Sequence, residues 1–162
     1  LEAFSLVARH GNASLVLAGR IGWGMEQLAE TLNRLGIADR VIITGYLPDR
    51  ETVRDACRGA ACFVMPSWYE GFGLPLLEAM ACGCACVATN TSSLPEVGGD
   101  AVRYVEPDDP EALGGVMREW LEDRDSRSYW GHRALEASRR FSWEDSAERM
   151  LKLYERVAAC GR

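Results

Sequence analysis

The chain has 162 residues, 48% of them hydrophobic, with 24 acidic and 18 basic side chains and a net charge of −6. That length supports one domain with a real core, burying roughly 70% of the surface an unfolded chain of this size exposes. The acidic balance speaks against a nucleic-acid or anionic-membrane surface, since Lys152 is the only lysine and the arginines are scattered, and no apolar run nears the ~20 residues of a membrane-spanning helix.

In chain order, the stretch LEAFSLVARHG reads as a helix on Leu1, Phe4, Leu6 and Val7 that stops at Gly11. Its opening in mid-pattern, without a methionine, suggests a piece of a longer chain. Ser14 to Gly19 is a short apolar run ending in glycine, as a buried parallel strand does. A helix follows over Met25 to Gly36, a β-branched strand over Arg40 to Gly45, and an amphipathic helix after Pro48 with Asp49 as a plausible N-cap. Ala61 to Ser67 is a third strand.

A glycine loop then leads into an apolar helix ending near Gly83. Cys84 to Thr89 is a fourth strand, TSSLPEVGG a turn-rich segment with room for a short helix, and Ala101 to Pro107 a fifth strand. Pro110 to Asp123 is a helix with proline in its first turn. The remainder from Arg124 is helical, its last helix started by a capping-box-like Ser142 and Asp145. Strands alternating with helices over short connections predict one doubly wound α/β domain with a parallel sheet. Ligands of such sheets sit at the carboxyl ends of the strands, in the loops after Gly19, Gly45, Ser67, Thr89 and Val105.

The six cysteines, Cys57, Cys62, Cys82, Cys84, Cys86 and Cys160, make no CxxC pair. They read as small buried thiols in a reducing compartment, and the distant His10 and His132 complete no metal site. A dinucleotide fingerprint is also absent, because Gly19, Gly22 and Gly24 have the wrong spacing.

The loop after the third strand holds more specific chemistry. Glu70 precedes Gly71, Phe72 and Gly73, and Leu74-Pro75 opens a helix that carries Glu78. Glycines let a backbone approach a ligand, and a helix N-terminus favours an anion such as phosphate. Carboxylates accept paired hydrogen bonds from vicinal hydroxyls. Two carboxylates flanking a phosphate seat would suit a nucleotide sugar. The neighbours of Glu78, namely Leu74, Leu76, Leu77, Ala79 and Met80, are apolar almost all round the helix, which predicts a buried Glu78. On spacing alone, a plain loop glutamate at Glu70 and a Glu78 capping backbone groups explain the pattern equally well.

The stretch PSWYEGFGLPLLEAMACG closely resembles the E-x7-E region of retaining GT-B glycosyltransferases of family 4. The similarity continues through LVLAGRIGWG, DRVIITGYLPDRE, SSLPEVGGDAV, VEPDDPEAL and FSWEDSAERML. The resemblance implies a Rossmann-like doubly wound sheet that is the C-terminal, donor-binding domain of a GT-B enzyme. Residues 1–162 would be that domain, truncated at its start, with the acceptor-binding N-terminal domain absent.

It further implies that Glu70 contacts the donor sugar near the reacting carbon and is the catalytic candidate. Glu78 would hold the ribose, and the backbone of Gly71, Phe72, Gly73 and Leu74 the sugar and diphosphate. Tyr46, Leu47 and Asp49 would pack the nucleobase, with Asp49 either reading guanine or simply capping its helix. Gly19 and Arg20 would line the cleft, Arg20 facing phosphate or solvent. Glu96, in the turn beside the cleft, reads as structural. The Gly-Trp form of the loop after Arg20 resembles mannosyltransferase-like members and, with Asp49, favours GDP-mannose over a UDP-sugar.

The implied activity is transfer of a sugar, mannose favoured, to a hydroxyl acceptor on a glycan or lipid-linked glycan of bacterial polysaccharide biosynthesis. No cofactor or metal is expected, the mechanism is retaining, and the location is cytoplasmic, peripheral at the inner membrane in the full-length protein. The alternatives are a non-catalytic nucleotide-sugar-binding module and a GT-B phosphorylase or epimerase. The chain departs from the family pattern at Gly83-Cys84-Ala85-Cys86, where the family has a proline. The family's diphosphate-neutralising Arg and Lys would lie upstream of Leu1, and the last helix would expose an apolar face that in the family packs toward the other domain.

Overall fold

The computed structural model describes residues 1–20, 22 and 25–160, with the backbone only at Met25. Trp23, on which the Gly-Trp resemblance rests with Gly22, lies outside the described residues. The elements are α1 (Glu2–Ala8), β1 (Leu15–Ala18), α2 (Met25–Leu35), β2 (Val41–Gly45), α3 (Arg50–Gly59), β3 (Phe63–Met65) and α4 (Leu74–Ala81). They continue with β4 (Cys86–Thr89), α5 (Leu94–Gly98), β5 (Arg103–Val105), α6 (Pro110–Glu122), α7 (Arg124–Ser138) and α8 (Trp143–Cys160).

Every strand pairing is parallel, as the alternation of strands and helices predicts. β1 pairs with β2 from Leu15 opposite Val41, and β3, β4 and β5 form a second hydrogen-bonded set with Val87 opposite both Val64 and Arg103. The expected architecture is therefore present as two parallel sets rather than one continuous hydrogen-bonded sheet. The strands are also shorter than the apolar runs that announce them. Gly19 and Gly45 adopt positive φ, 148° and 69°, which turns the chain out of the extended region at the ends of β1 and β2.

β4 is buried on both faces, so its residues sort to alternate sides. Cys86 and Ala88 face a core built from Leu76, Ala79 and Met80 of α4, Leu94 and Val97 of α5, and Ala134 of α7. Val87 faces the opposite layer, where Val116 and Trp120 of α6 pack with Trp130. A third cluster joins the two strand sets. Phe4 and Val7 of α1, Leu32, Ile37 and Met117 meet Leu15, Val41 and Val64. α1 lies close on α6, where Gly114 leaves only 3.1 Å between a Cβ position and the Ala3 carbonyl.

Two surfaces are apolar and uncovered. The outer face of the β1–β2 ribbon shows Val16 at 50% and Ile42 at 54% exposure. α8 buries none of its residues and exposes Trp143, Leu151, Tyr154 and Val157, in line with the expected apolar face. Ser142 caps α8 by accepting from the Asp145 amide at 3.0 Å, while the Asp145 carboxylate pairs with Arg149 instead of closing the box. No helix among the described residues is long and apolar enough to cross a membrane.

Candidate functional site

The loops after β1, β2, β3 and β4 carry the residues singled out in the sequence. The chain leaves the β1–β2 set for the β3–β4–β5 set through α3, and the ligands of doubly wound sheets bind outside the carboxyl ends of the strands, where these loops lie.

The loop after β3 enters α4 through Gly73, whose φ of 97° and ψ of 41° need a residue without a Cβ. A Cβ there would also stand 2.8 Å from Leu94 Cδ2. The Gly73 carbonyl accepts from the Leu76 and Leu77 amides at 3.0 and 3.2 Å, and Pro75 brings no N–H. The preceding amides behave differently. Among the described residues, those of Gly71, Phe72, Gly73 and Leu74 meet no backbone or side-chain acceptor. Four consecutive open N–H groups at a helix N-terminus are the kind of backbone that can take an anion.

Glu70 borders this stretch and is half-buried. Its carboxylate Oε1 accepts from Ser67 Oγ at 2.8 Å, its amide donates to Ser92 Oγ at 2.9 Å, and its carbonyl accepts from Ser93 Oγ at 3.1 Å. The hydroxyls of Thr89 and Thr91 both donate to the Ser67 carbonyl. The loops after β3 and β4 are thus joined through four hydroxyl side chains, those of Thr89, Thr91, Ser92 and Ser93, while the Ser67 hydroxyl acts within its own loop. Ser92 and Ser93 belong to the turn that the sequence places beside the cleft, whereas Ser67, Thr89 and Thr91 were not among the candidate residues. Their signal was a hydroxyl at the end of each strand, in PS and in TNTSS.

Glu78 is exposed, which corrects the expectation of a buried carboxylate. α4 buries Leu76, Ala79 and Met80, a stripe at helical spacing, and residue 78 falls on the opposite side of the helix. The carboxylate is open to a ligand without a desolvation penalty to be met by the fold. The Phe72 ring packs edge-on to Phe141 with centroids 5.8 Å apart. Leu74 is exposed, as are Trp68 and Tyr69 beside Glu70.

In the β1–β2 set, the Gly19 amide donates to the Gly45 carbonyl at 3.0 Å and ties the loops after β1 and β2 together. Arg20 lies over the exposed Tyr46 ring at 5.2 Å, and Leu47 is half-buried. Asp49 is the N-cap of α3, accepting from the Thr52 amide at 2.6 Å and the Thr52 hydroxyl at 2.8 Å. Those two bonds, the amide first, hold its carboxyl below the ordinary range. Of its two expected roles, the capping one is therefore seen directly. The backbone behind Glu96 is structural too, since Arg140 donates to the Glu96 and Val97 carbonyls.

All six cysteines are free thiols, and no group of three or more His, Cys, Asp and Glu among the described residues is placed to hold a metal ion. Cys57, Cys82 and Cys84 line a pocket of about 180 Å³ with Arg58, Arg124 and Arg127, which contains none of Gly71, Phe72, Gly73 and Leu74.

Residues 1–137 match the family described as glycosyl transferases group 1. The O-antigen chain mannosyltransferase B of Escherichia coli is 38% identical over 141 residues, covering 87% of this chain and 37% of that protein. This chain therefore spans little more than a third of the length of that relative. Among solved structures, sucrose-phosphate synthase from Thermosynechococcus elongatus superposes with a TM-score of 0.86 at 27% identity, over 98% of this chain and 42% of that one. Anabaena HepE in complex with UDP superposes with a TM-score of 0.83 at 20% identity, over 95% of this chain and 44% of that one, a likeness of fold. With 137 of its residues in one family match and a mannosyltransferase among its relatives, the chain belongs to the glycosyl transferases group 1 family.

Proposed function

We propose that this chain is the donor-binding part of a retaining glycosyltransferase that moves a hexose, mannose first among candidates, from a nucleoside diphosphate sugar to a hydroxyl acceptor. The observation that carries the reading is the run of four unpartnered amides, Gly71 to Leu74, between the carboxylates of Glu70 and Glu78. The amides take the diphosphate, Glu78 the ribose hydroxyls and Glu70 the sugar.

In the transfer, the bond from the anomeric carbon to the diphosphate breaks, and negative charge gathers on the leaving group. Fixed N–H dipoles aimed at that charge stabilise the transition state more than the ground state. Glu70 orients the sugar and steadies positive charge at the anomeric carbon. It acts without a second carboxylate there, because Glu78 lies on the helix beyond the diphosphate seat; a glycosidase-like pair of close carboxylates is not part of this mechanism. No metal or cofactor is assigned a role.

A mannose donor is supported by the E. coli relative. Guanine as the base rests on Asp49, whose carboxylate oxygens each keep a lone pair beyond the Thr52 bonds. The UDP complex of Anabaena HepE marks the competing base. The acceptor hydroxyl, on a glycan or lipid-linked glycan, would be supplied through a separate domain. Six free cysteines support action in the reducing cytoplasm, with the full-length protein peripheral at the inner membrane.

Calorimetric titration of the chain with GDP, UDP, GDP-mannose and UDP-glucose tests this function. Binding of the diphosphates, tightest for GDP and its sugar, is expected. Tighter UDP binding overturns the base assignment, and no binding by any of the four overturns the donor site.

A further inference from the structure

Glu70 is held at three of its polar groups by hydroxyl side chains, and only one of those bonds reaches the carboxylate. Ser67 Oγ donates to Glu70 Oε1 at 2.8 Å. Ser67 is itself fixed from behind, because the Thr89 and Thr91 hydroxyls converge on its carbonyl. The Glu70 backbone is fixed separately, by Ser92 at the amide and Ser93 at the carbonyl. Ser92 reaches the amide from a left-handed backbone, φ 49°, a region non-glycine residues seldom occupy.

We infer that Ser67 is a positioning residue for Glu70: by engaging Oε1 it turns the carboxylate plane so that Oε2 is presented to the donor sugar. This rests on the donor reading above and adds the residue that sets the orientation. A carboxylate has two roughly equivalent oxygens and a soft terminal torsion. Left alone it samples many planes, and a hydroxyl ligand then bears the ordering cost at binding. A pre-formed bond to one oxygen removes that cost and leaves the second oxygen with its lone pairs directed outward. The Ser92 and Ser93 bonds cannot do this, because they act on the backbone and leave the carboxylate free to rotate.

The division of labour makes the effect separable. The diphosphate seat is made of the amides of Gly71 to Leu74, which Ser67 does not touch. Loss of the Ser67 hydroxyl therefore weakens recognition of the sugar and spares the nucleoside diphosphate.

The test is calorimetric titration of the wild-type chain, Ser67→Ala, Ser67→Thr, Glu70→Gln and the double variant Ser67→Ala/Glu70→Gln, each with GDP and GDP-mannose and with UDP and UDP-glucose. Melting temperatures are recorded alongside. Ser67→Ala is expected to lower the ratio of sugar-nucleotide to nucleotide affinity about ten-fold, the scale of one charge-assisted hydrogen bond. Nucleotide affinity and melting stay unchanged, and Ser67→Thr restores the ratio. The double variant is expected to lose no more than Glu70→Gln alone, because the two side chains act as a unit. An unchanged ratio in Ser67→Ala, a parallel fall in nucleotide affinity, or additive losses in the double variant would overturn the inference while leaving the donor site in place. Failure of the wild-type chain to bind any of the four ligands would overturn the donor reading and this inference with it.

Discussion

Arg20 lies with its guanidinium carbon 5.2 Å from the centre of the Tyr46 ring, which couples the loop after β1 to the loop after β2. Both residues are exposed, and the pair is proposed as one wall of the donor site. A cation over an aromatic face at an exposed site is worth roughly 0.5–1 kcal/mol. Arg20→Ala and Tyr46→Ala are therefore expected to weaken GDP binding by less than about ten-fold each. A double-mutant cycle read by calorimetry should show a coupling of about that size. Additive effects would mean that the contact does not organise the wall.

Gly73 is the least replaceable residue of the site. Its positive φ excludes side chains on backbone grounds, and Leu94 Cδ2 would meet a new Cβ at 2.8 Å. Gly73→Ala is expected to cost on the order of 1–3 kcal/mol of stability, visible in denaturant unfolding, and to abolish nucleotide binding through displacement of the Leu74 amide. Gly115→Ala, in open space within α6, is the matched control and should leave both unchanged or slightly raise stability.

Asp49 separates a folding role from a recognition role. Asparagine caps a helix about as well as aspartate, whereas alanine does not. Asp49→Ala should lower the melting temperature by a few degrees, and Asp49→Asn should not. If the carboxylate also accepts from guanine, Asp49→Asn lowers the preference for GDP over UDP at unchanged melting. The folded pKa of Asp49 is depressed, so its stabilising effect is present above its unfolded value of 3.8 and disappears as pH falls through the lower folded value. Asp49→Ala should accordingly differ from wild type less at strongly acidic pH than at neutrality.

These residues also show what sequence can and cannot carry. Glycines at Gly73 and Gly45 and the cap at Asp49 were legible, because backbone geometry and capping are set within a few residues. The alternation in β4, which sends Cys86 and Ala88 to one layer and Val87 to the other, was legible for the same reason. The exposure of Glu78 was not. α4 is apolar almost all round, and the buried stripe depends on where α5 and α7 lie. Nor was the hydroxyl lattice around Glu70, whose bonds to Ser92 and Ser93 span 22 and 23 positions. Single hydrogen bonds between distant loops leave no period in a sequence. The break between the β1–β2 pair and the other three strands was equally invisible, since parallel pairing order is decided by crossover packing.

The buried thiols of Cys84 and Cys86 and the half-buried ones of Cys57 and Cys62 make the fold sensitive to alkali. Burial pushes Cys57 and Cys62 up to about 11 and Cys84 up to about 12, against 9.0 when unfolded, and raises Cys86 well above that value. Each folded pKa is raised, so the unfolded chain releases protons first. The stability these neutral thiols contribute is full below pH 9 and is lost progressively above it. Denaturant midpoints should fall between pH 9 and pH 11, and Cys62→Ala with Cys84→Ala should flatten that decline despite a lower midpoint at pH 7. In alkylation at neutral pH, Cys160, exposed on α8, should react well before Cys84 and Cys86.

The central claim is that the open amides between Glu70 and Glu78 hold a nucleoside diphosphate. Amide chemical-shift mapping of the isotope-labelled chain, titrated with GDP and then GDP-mannose, tests it most directly. The account predicts saturable shifts at Gly71, Phe72, Gly73 and Leu74 with GDP, extending to Glu70 when the sugar is present, and their loss in Gly73→Ala. Shifts confined to the pocket lined by Arg58, Arg124 and Arg127, or none at Gly71 to Leu74 at saturating ligand, would contradict it.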